Sequence, residues 1–120
     1  QFIHSYVPAA RLNKMIAEAK FIVFPYLKSY SGGQSQAIMD AIACAKPVIV
    51  SKLPGLTENV IDGKNGLIVS PGDEKRLGDA FLRLSNSSNL LRKISSNNKK
   101  LAKALSWKNI ARKTIAAYNA

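Results

Sequence analysis

The chain has 120 residues, 47% of them apolar, and carries 18 Lys and Arg against 7 Asp and Glu, a net charge of +11. That length makes one globular domain with a core of its own and excludes two full domains. No apolar run reaches membrane-spanning length, no signal-peptide pattern opens the chain, and the single Cys44 excludes an internal disulfide and fits a reducing cytoplasm.

The chain opens at Gln1 with no Met, and Phe2-Ile3-His4 reads as a first strand already under way. A fragment of a longer protein is therefore expected, with residues 1–120 a single, partial domain. Pro8 opens a helix in which Leu12, Met15, Ile16 and Ala19 recur at i, i+3, i+4 and i+7. Phe21-Ile22-Val23-Phe24 is too short and too β-branched and aromatic for a helix, and Pro25 ends it. Ser31-Gly32-Gly33 then leads into a helix from Ser35 to Ala45 with Ala37, Ile38, Ala41 and Ile42 on one face; Pro47 forbids its continuation, and Val48-Ile49-Val50 is the next strand. Thr57 is expected to cap a short helix through Ile61, Asp62-Gly63 turns the chain, and Leu67 to Val69 makes a fourth strand. Pro71-Gly72-Asp73 caps a helix bearing Leu77, Phe81 and Leu84. Two more helices follow, one with Leu90, Leu91, Ile94, Leu101 and Leu105, the other with Trp107, Ile110, Thr114 and Tyr118. Four strands separated by helices, about six in all, imply an α/β domain whose parallel sheet has right-handed crossovers and helices on its faces, Rossmann-like in plan. Ligands of such sheets bind beyond the C-terminal strand ends, where the Gly32 loop and the Ser51 to Gly55 loop both fall.

The chemistry-bearing candidates cluster at the second crossover. Backbone N–H groups at the start of a helix are unpaired within it and lie at its positive end, so glycines at 32 and 33 would let a phosphate approach the amides of Gly32, Gly33, Gln34 and Ser35 closely. Asp40, five residues past Ser35, lies roughly 7 to 8 Å further along the helix, within reach of a ribose attached to that phosphate. Its carboxylate can accept from the diol, with Gln36 one turn earlier on the same face. The bland alternatives are an ordinary strand-to-helix turn for the glycines and a solvated helix acid for Asp40. Glu58 reads as a support for the Ser51 to Gly55 loop through backbone contacts, His4 as a strand-end residue, Cys44 as a small buried apolar side chain and Lys28 as a solvated lysine.

The run Pro25-Tyr26, Ser31-Gly32-Gly33, Asp40-Ala41-Ile42-Ala43-Cys44-Ala45-Lys46-Pro47-Val48-Ile49, Pro54-Gly55-Leu56-Thr57-Glu58-Asn59-Val60 and Asn65-Gly66-Leu67-Ile68-Val69-Ser70-Pro71-Gly72-Asp73 resembles the C-terminal, nucleotide-sugar-binding half of GT-B retaining glycosyltransferases of family 4. The resemblance covers nearly the whole chain, including Ser106-Trp107 at the start of the last helix. It implies a doubly wound domain that binds a UDP- or GDP-type sugar as donor substrate, with catalysis in a cleft shared with a separate acceptor domain, and with neither metal nor cofactor nor a general base from this part of the chain. The family carries two glutamates separated by seven residues; here Asp40 fills the second, ribose-contacting position, and Gly32 stands at the first, which implies altered handling of the sugar. Ala45 stands where the family has a glycine before Lys46, which implies a slightly different helix end.

Charge adds a last constraint. Beyond Asp79 there is no acidic residue, while Arg83, Arg92, Lys93, Lys99, Lys100, Lys103, Lys108, Arg112 and Lys113 all lie there. Such a surface attracts an anionic membrane or a phosphorylated lipid acceptor. Trp107 and Tyr118 recur with apolar residues and read as core rather than as base-stacking platforms, so nucleic acid is not expected as a partner. The expectation is a cytoplasmic transferase domain handing sugar to a glycan or lipid-linked acceptor, with the inner membrane face as a candidate surface. The rival is a non-catalytic anion- or nucleotide-binding module docking an anionic partner.

Overall fold

The fold is that of a computed structural model, which describes residues 3, 5–28 and 35–119. Three parallel strands, β1 (Ile22–Phe24), β2 (Val48–Ser51) and β3 (Gly66–Val69), lie in that order, with Ile22 opposite Val48 and Val48 opposite Gly66. The helices are α1 (Ala9–Glu18), α2 (Gln36–Ala43), α3 (Glu74–Asn86), α4 (Ser88–Ala104) and α5 (Trp107–Tyr118).

Successive strand residues point to opposite faces, and the buried residues divide accordingly. Val48 and Val50 of β2 pack with Ile38, Ala41 and Ile42 of α2 and with Leu56 and Val60. Ile49, Leu67 and Val69 point the other way, against Ala80 and Leu84 of α3 and Ile94 of α4. β2 is buried along its whole length, the pattern of a strand covered on both faces. α4 joins the two layers, since Ile94 belongs to one core and Leu101 packs on the other.

Local sequence sets the boundaries. Asp73, Ser87 and Ser106 cap α3, α4 and α5, each side chain accepting from the backbone N–H three residues on. α2 ends in a Schellman turn in which the Lys46 N–H reaches the Ala41 carbonyl and the Ala45 N–H the Ile42 carbonyl, both at 2.9 Å. Ala45 takes the left-handed position at φ +57. The family's glycine turn is therefore kept, with an alanine held in it.

Three expectations are revised, and a further one, the first strand at Phe2-Ile3-His4, falls at residues 2 and 4 that lie outside the described residues. Residues 57–61 turn instead of forming a helix, as the Asn65 carboxamide accepts at 2.7 Å from the Ile61 N–H, the donor that a helix capped by Thr57 would have used. Cys44 is exposed, standing on the outer side of the α2 end. Trp107 and Tyr118 are 85% and 86% exposed, so the apolar stripe of α5 is surface and not core among the described residues.

Candidate functional site at the C-terminal strand ends

β1 and β2 stop where proline and glycine leave the ladder, and their ends are stitched together: the Ser51 hydroxyl lies 3.4 Å from the Phe24 carbonyl, and the Lys52 N–H donates to the Val69 carbonyl at 2.8 Å. A hollow of about 80 Å³ opens over these ends beside Pro25, Ser51, Val69 and Gly72. Roomier hollows lie elsewhere. One of about 470 Å³ beside β3 is lined by Asp62, Asp73, Asp79, Lys75, Arg76 and Arg83, three acids and three cations with no net charge. Another, of about 590 Å³, lies by Lys46 and Pro47 at the opposite end of the sheet.

α2 begins at this C-terminal edge. Ser35 is 3% exposed and extended, and its carbonyl accepts the first helical bond, from the Met39 N–H at 3.2 Å. The N–H groups of Gln36, Ala37 and Ile38 precede that bond and have no acceptor within the helix. The Ser35 N–H donates to the Gly55 carbonyl at 2.9 Å, so of the amides expected to meet a phosphate this one is already paired inside the chain. Gly32, Gly33 and Gln34, the rest of the expected cradle, lie outside the described residues.

Gln36 and Asp40 come together as their spacing predicts, the Gln36 carboxamide donating to the Asp40 carboxylate at 2.9 Å. Asp40 is half-buried and Gln36 exposed, and among the described residues the second Asp40 carboxylate oxygen has no partner. Glu58 supports its loop as expected: its carboxylate accepts from the Gly55 N–H at 2.9 Å. Lys28 is exposed. Among the described residues no group of three His, Cys, Asp or Glu side chains could hold a metal ion.

One linkage escaped the sequence reading. Ser35 and Gly55 are bonded across two loops that follow different strands, and no periodicity registers such a contact. The nearest signal was the Gly55 to Glu58 spacing, in which an acid three residues on reaches back to a backbone N–H, as in a capping box.

Comparison with known proteins shows the family and the fold. The model of the family described as glycosyl transferases group 1 matches residues 2–87. An uncharacterised glycosyltransferase of Methanocaldococcus jannaschii is 36% identical over 90 residues, which are 75% of this chain and 25% of that protein. The C-terminal domain of a glycosyl transferase group 1 family protein of Francisella tularensis superposes with a TM-score of 0.75 at 23% identity, over 87% of this chain and 52% of that one. HepE of Anabaena, solved in complex with UDP, superposes with a TM-score of 0.73 at 21% identity, over 88% of this chain and 28% of that one. These structures show the same fold, and the chain spans about a quarter of the length of the curated relative.

Proposed function

The chain belongs to the glycosyl transferases group 1 family, and we propose that it is the donor half of a retaining glycosyltransferase, holding a UDP- or GDP-type sugar at the C-terminal edge of the sheet. The observation that carries this reading is the placement of Asp40 one turn inside a helix whose first amides open beyond that edge. In this reading the open N–H groups of α2 and the Gly32–Gly33–Gln34 segment take the diphosphate, and the ribose diol donates to Asp40 with Gln36 steadying the carboxylate. As the glycosidic bond to the diphosphate breaks, negative charge grows on the leaving oxygen; donors already aimed at it stabilise that charge more than they stabilise the bound donor. The acceptor hydroxyl, its proton transfer and the rest of the cleft belong to an acceptor domain outside this chain, so the chain alone is expected to bind donor and not to turn it over. HepE was solved with UDP and, in a second structure, with UDP-glucose, which supports a nucleotide-sugar donor here.

The acceptor in this reading is a glycan or a lipid-linked sugar presented at the cytoplasmic face of a membrane. Support comes from the nine cations beyond Asp79, all exposed, with no acid among them. Each adds about 1 kcal/mol of attraction close to an anionic leaflet, fading over a Debye length of roughly 8 Å at physiological salt. No helix among the described residues is long and apolar enough to cross a membrane. The same cations favour the rival reading, a non-catalytic module that docks a polyanion.

Calorimetry of the chain with UDP, GDP and a polyanion such as heparin separates the two. Saturable one-to-one binding of a nucleoside diphosphate supports the donor site. Heat from heparin alone, abolished by moderate salt, would replace it with the docking module.

A further inference from the structure

The geometry points to Glu58 as a positioning residue that sets the start of α2 through Gly55, and so controls the donor site without touching the donor. This rests on the donor-site reading and adds to it the residue that holds the site's shape.

Gly55 is bracketed. Its N–H donates to the Glu58 carboxylate at 2.9 Å, and its carbonyl accepts from the Ser35 N–H, also at 2.9 Å. A left-handed backbone, φ +85, turns these two groups to separate partners, a conformation glycine adopts without the steric cost a side chain would bring. On one side the next residue, Leu56, is 1% exposed and packed in the core with Ile38 and Ala41 of α2. On the other side the fixed point is the carboxylate of Glu58. Ser35 itself makes no side-chain cap for α2, so the Gly55 carbonyl is the contact that fixes its amide. With that amide pinned, the open N–H groups of Gln36, Ala37 and Ile38 have a defined direction, and Asp40 follows one turn later.

Removing the carboxylate frees the Gly55 N–H and lets the glycine leave its left-handed well, and the Ser35 bond then loses its fixed acceptor. A role of this kind needs only an acceptor oxygen at the end of a side chain of this length. Glu58→Gln supplies one; Glu58→Ala does not. A residue acting by negative charge, or by direct contact of its carboxylate with the sugar, would fail in both.

Site-resolved amide exchange on the full chain tests the linkage with no ligand present. Glu58→Ala is expected to speed exchange at Gly55 and Ser35 by about tenfold, the loss of one hydrogen bond to a charged group, with Glu58→Gln within about threefold of the parent. Unchanged exchange at Ser35 in the alanine variant, or equal acceleration in both variants, would overturn the linkage. Titration of the same samples with UDP then tests its consequence. Expected is a Kd raised about three- to tenfold in Glu58→Ala and near the parent value in Glu58→Gln. Accelerated Ser35 exchange with equal UDP affinity in all three proteins would overturn the positioning role. A parent chain that binds neither UDP nor GDP, with the Ser35 response intact, would instead sink the donor-site reading and leave the linkage standing.

Discussion

The two ends of the sheet are built from the same strands and do opposite work. At the N-terminal end polar groups are buried and most are joined; the exception is the Asn98 carboxamide oxygen, buried with no partner among the described residues. Asn98 is fully buried, and its carboxamide donates to the Lys46 carbonyl at 2.8 Å and to the Asn65 carbonyl at 2.9 Å. Asn65, 4% exposed, donates to the Asn59 carbonyl and accepts from the Ile61 N–H, both at 2.7 Å. The Ser95 hydroxyl adds a bond to the Ala45 carbonyl. α4 is thereby tied to the loops that enter β2 and β3. At the C-terminal end the first amides of α2 have no acceptor within the helix, and Asp40 has one hydrogen-bond partner among the described residues. Each pairing of a buried polar group adds stability, and leaving one unpaired costs it. The paired groups of one end hold the fold, and the other end is where the proposed donor site lies, with α2 running between them.

The sharpest way to break the comparison is to damage the closed end and ask whether the open end notices. Asn98→Ala takes the donor from the buried Asn65 carbonyl and the part-buried Lys46 carbonyl, though it also removes an unpaired buried oxygen, and is expected to lower stability by about 1 to 3 kcal/mol in urea unfolding, while UDP affinity of the protein that remains folded stays near the parent value. Gly66→Ala attacks the same end by packing. A Cβ there would lie 2.8 Å from the Val48 carbonyl, from Val48 Cγ2 and from Val60 Cγ1, and a backbone atom cannot step aside cheaply. A loss of about 1 to 3 kcal/mol is expected, again in urea.

The reverse experiment alters the open end. Asp40→Ala removes the diol acceptor and is expected to weaken nucleoside diphosphate by about 1 to 3 kcal/mol by calorimetry, with little change in the urea midpoint because the bond it loses to Gln36 is exposed. The smallest effect runs the other way. Ala45→Gly relieves the left-handed φ of +57 at the end of α2 and is expected to stabilise by about 0.5 to 1 kcal/mol, read as a rise in Tm, with UDP affinity unchanged.

What was legible at the open end is local, namely β-branched strands stopped by proline and an amphipathic helix with an acid one turn inside it, while the expected cradle at Gly32, Gly33 and Gln34 lies outside the described residues. Gln36 and Asp40 meet as i, i+4 spacing requires. The closed end was not legible, since Asn98 meets Lys46 and Asn65 across 52 and 33 residues and an asparagine in a basic helix gives no periodic sign of burial. At residues 57–61 the competition is local: the Asn65 side chain accepts from the Ile61 N–H, the donor that a helix capped by Thr57 would have used. For α5 the pattern was read correctly and its meaning was not: periodicity reports an apolar face, and what covers that face is a matter of tertiary structure.

An amide chemical-shift map of the chain titrated with UDP tests the division between the two ends most directly. Expected are shifts concentrated at Gln36, Ala37, Ile38 and Asp40 and along Ser51 to Gly55, with Asn65, Gly66 and Asn98 unmoved. Shifts confined to the cationic faces of α4 and α5, or to the hollow between Asp62 and Arg83, would contradict a donor site at the C-terminal strand ends.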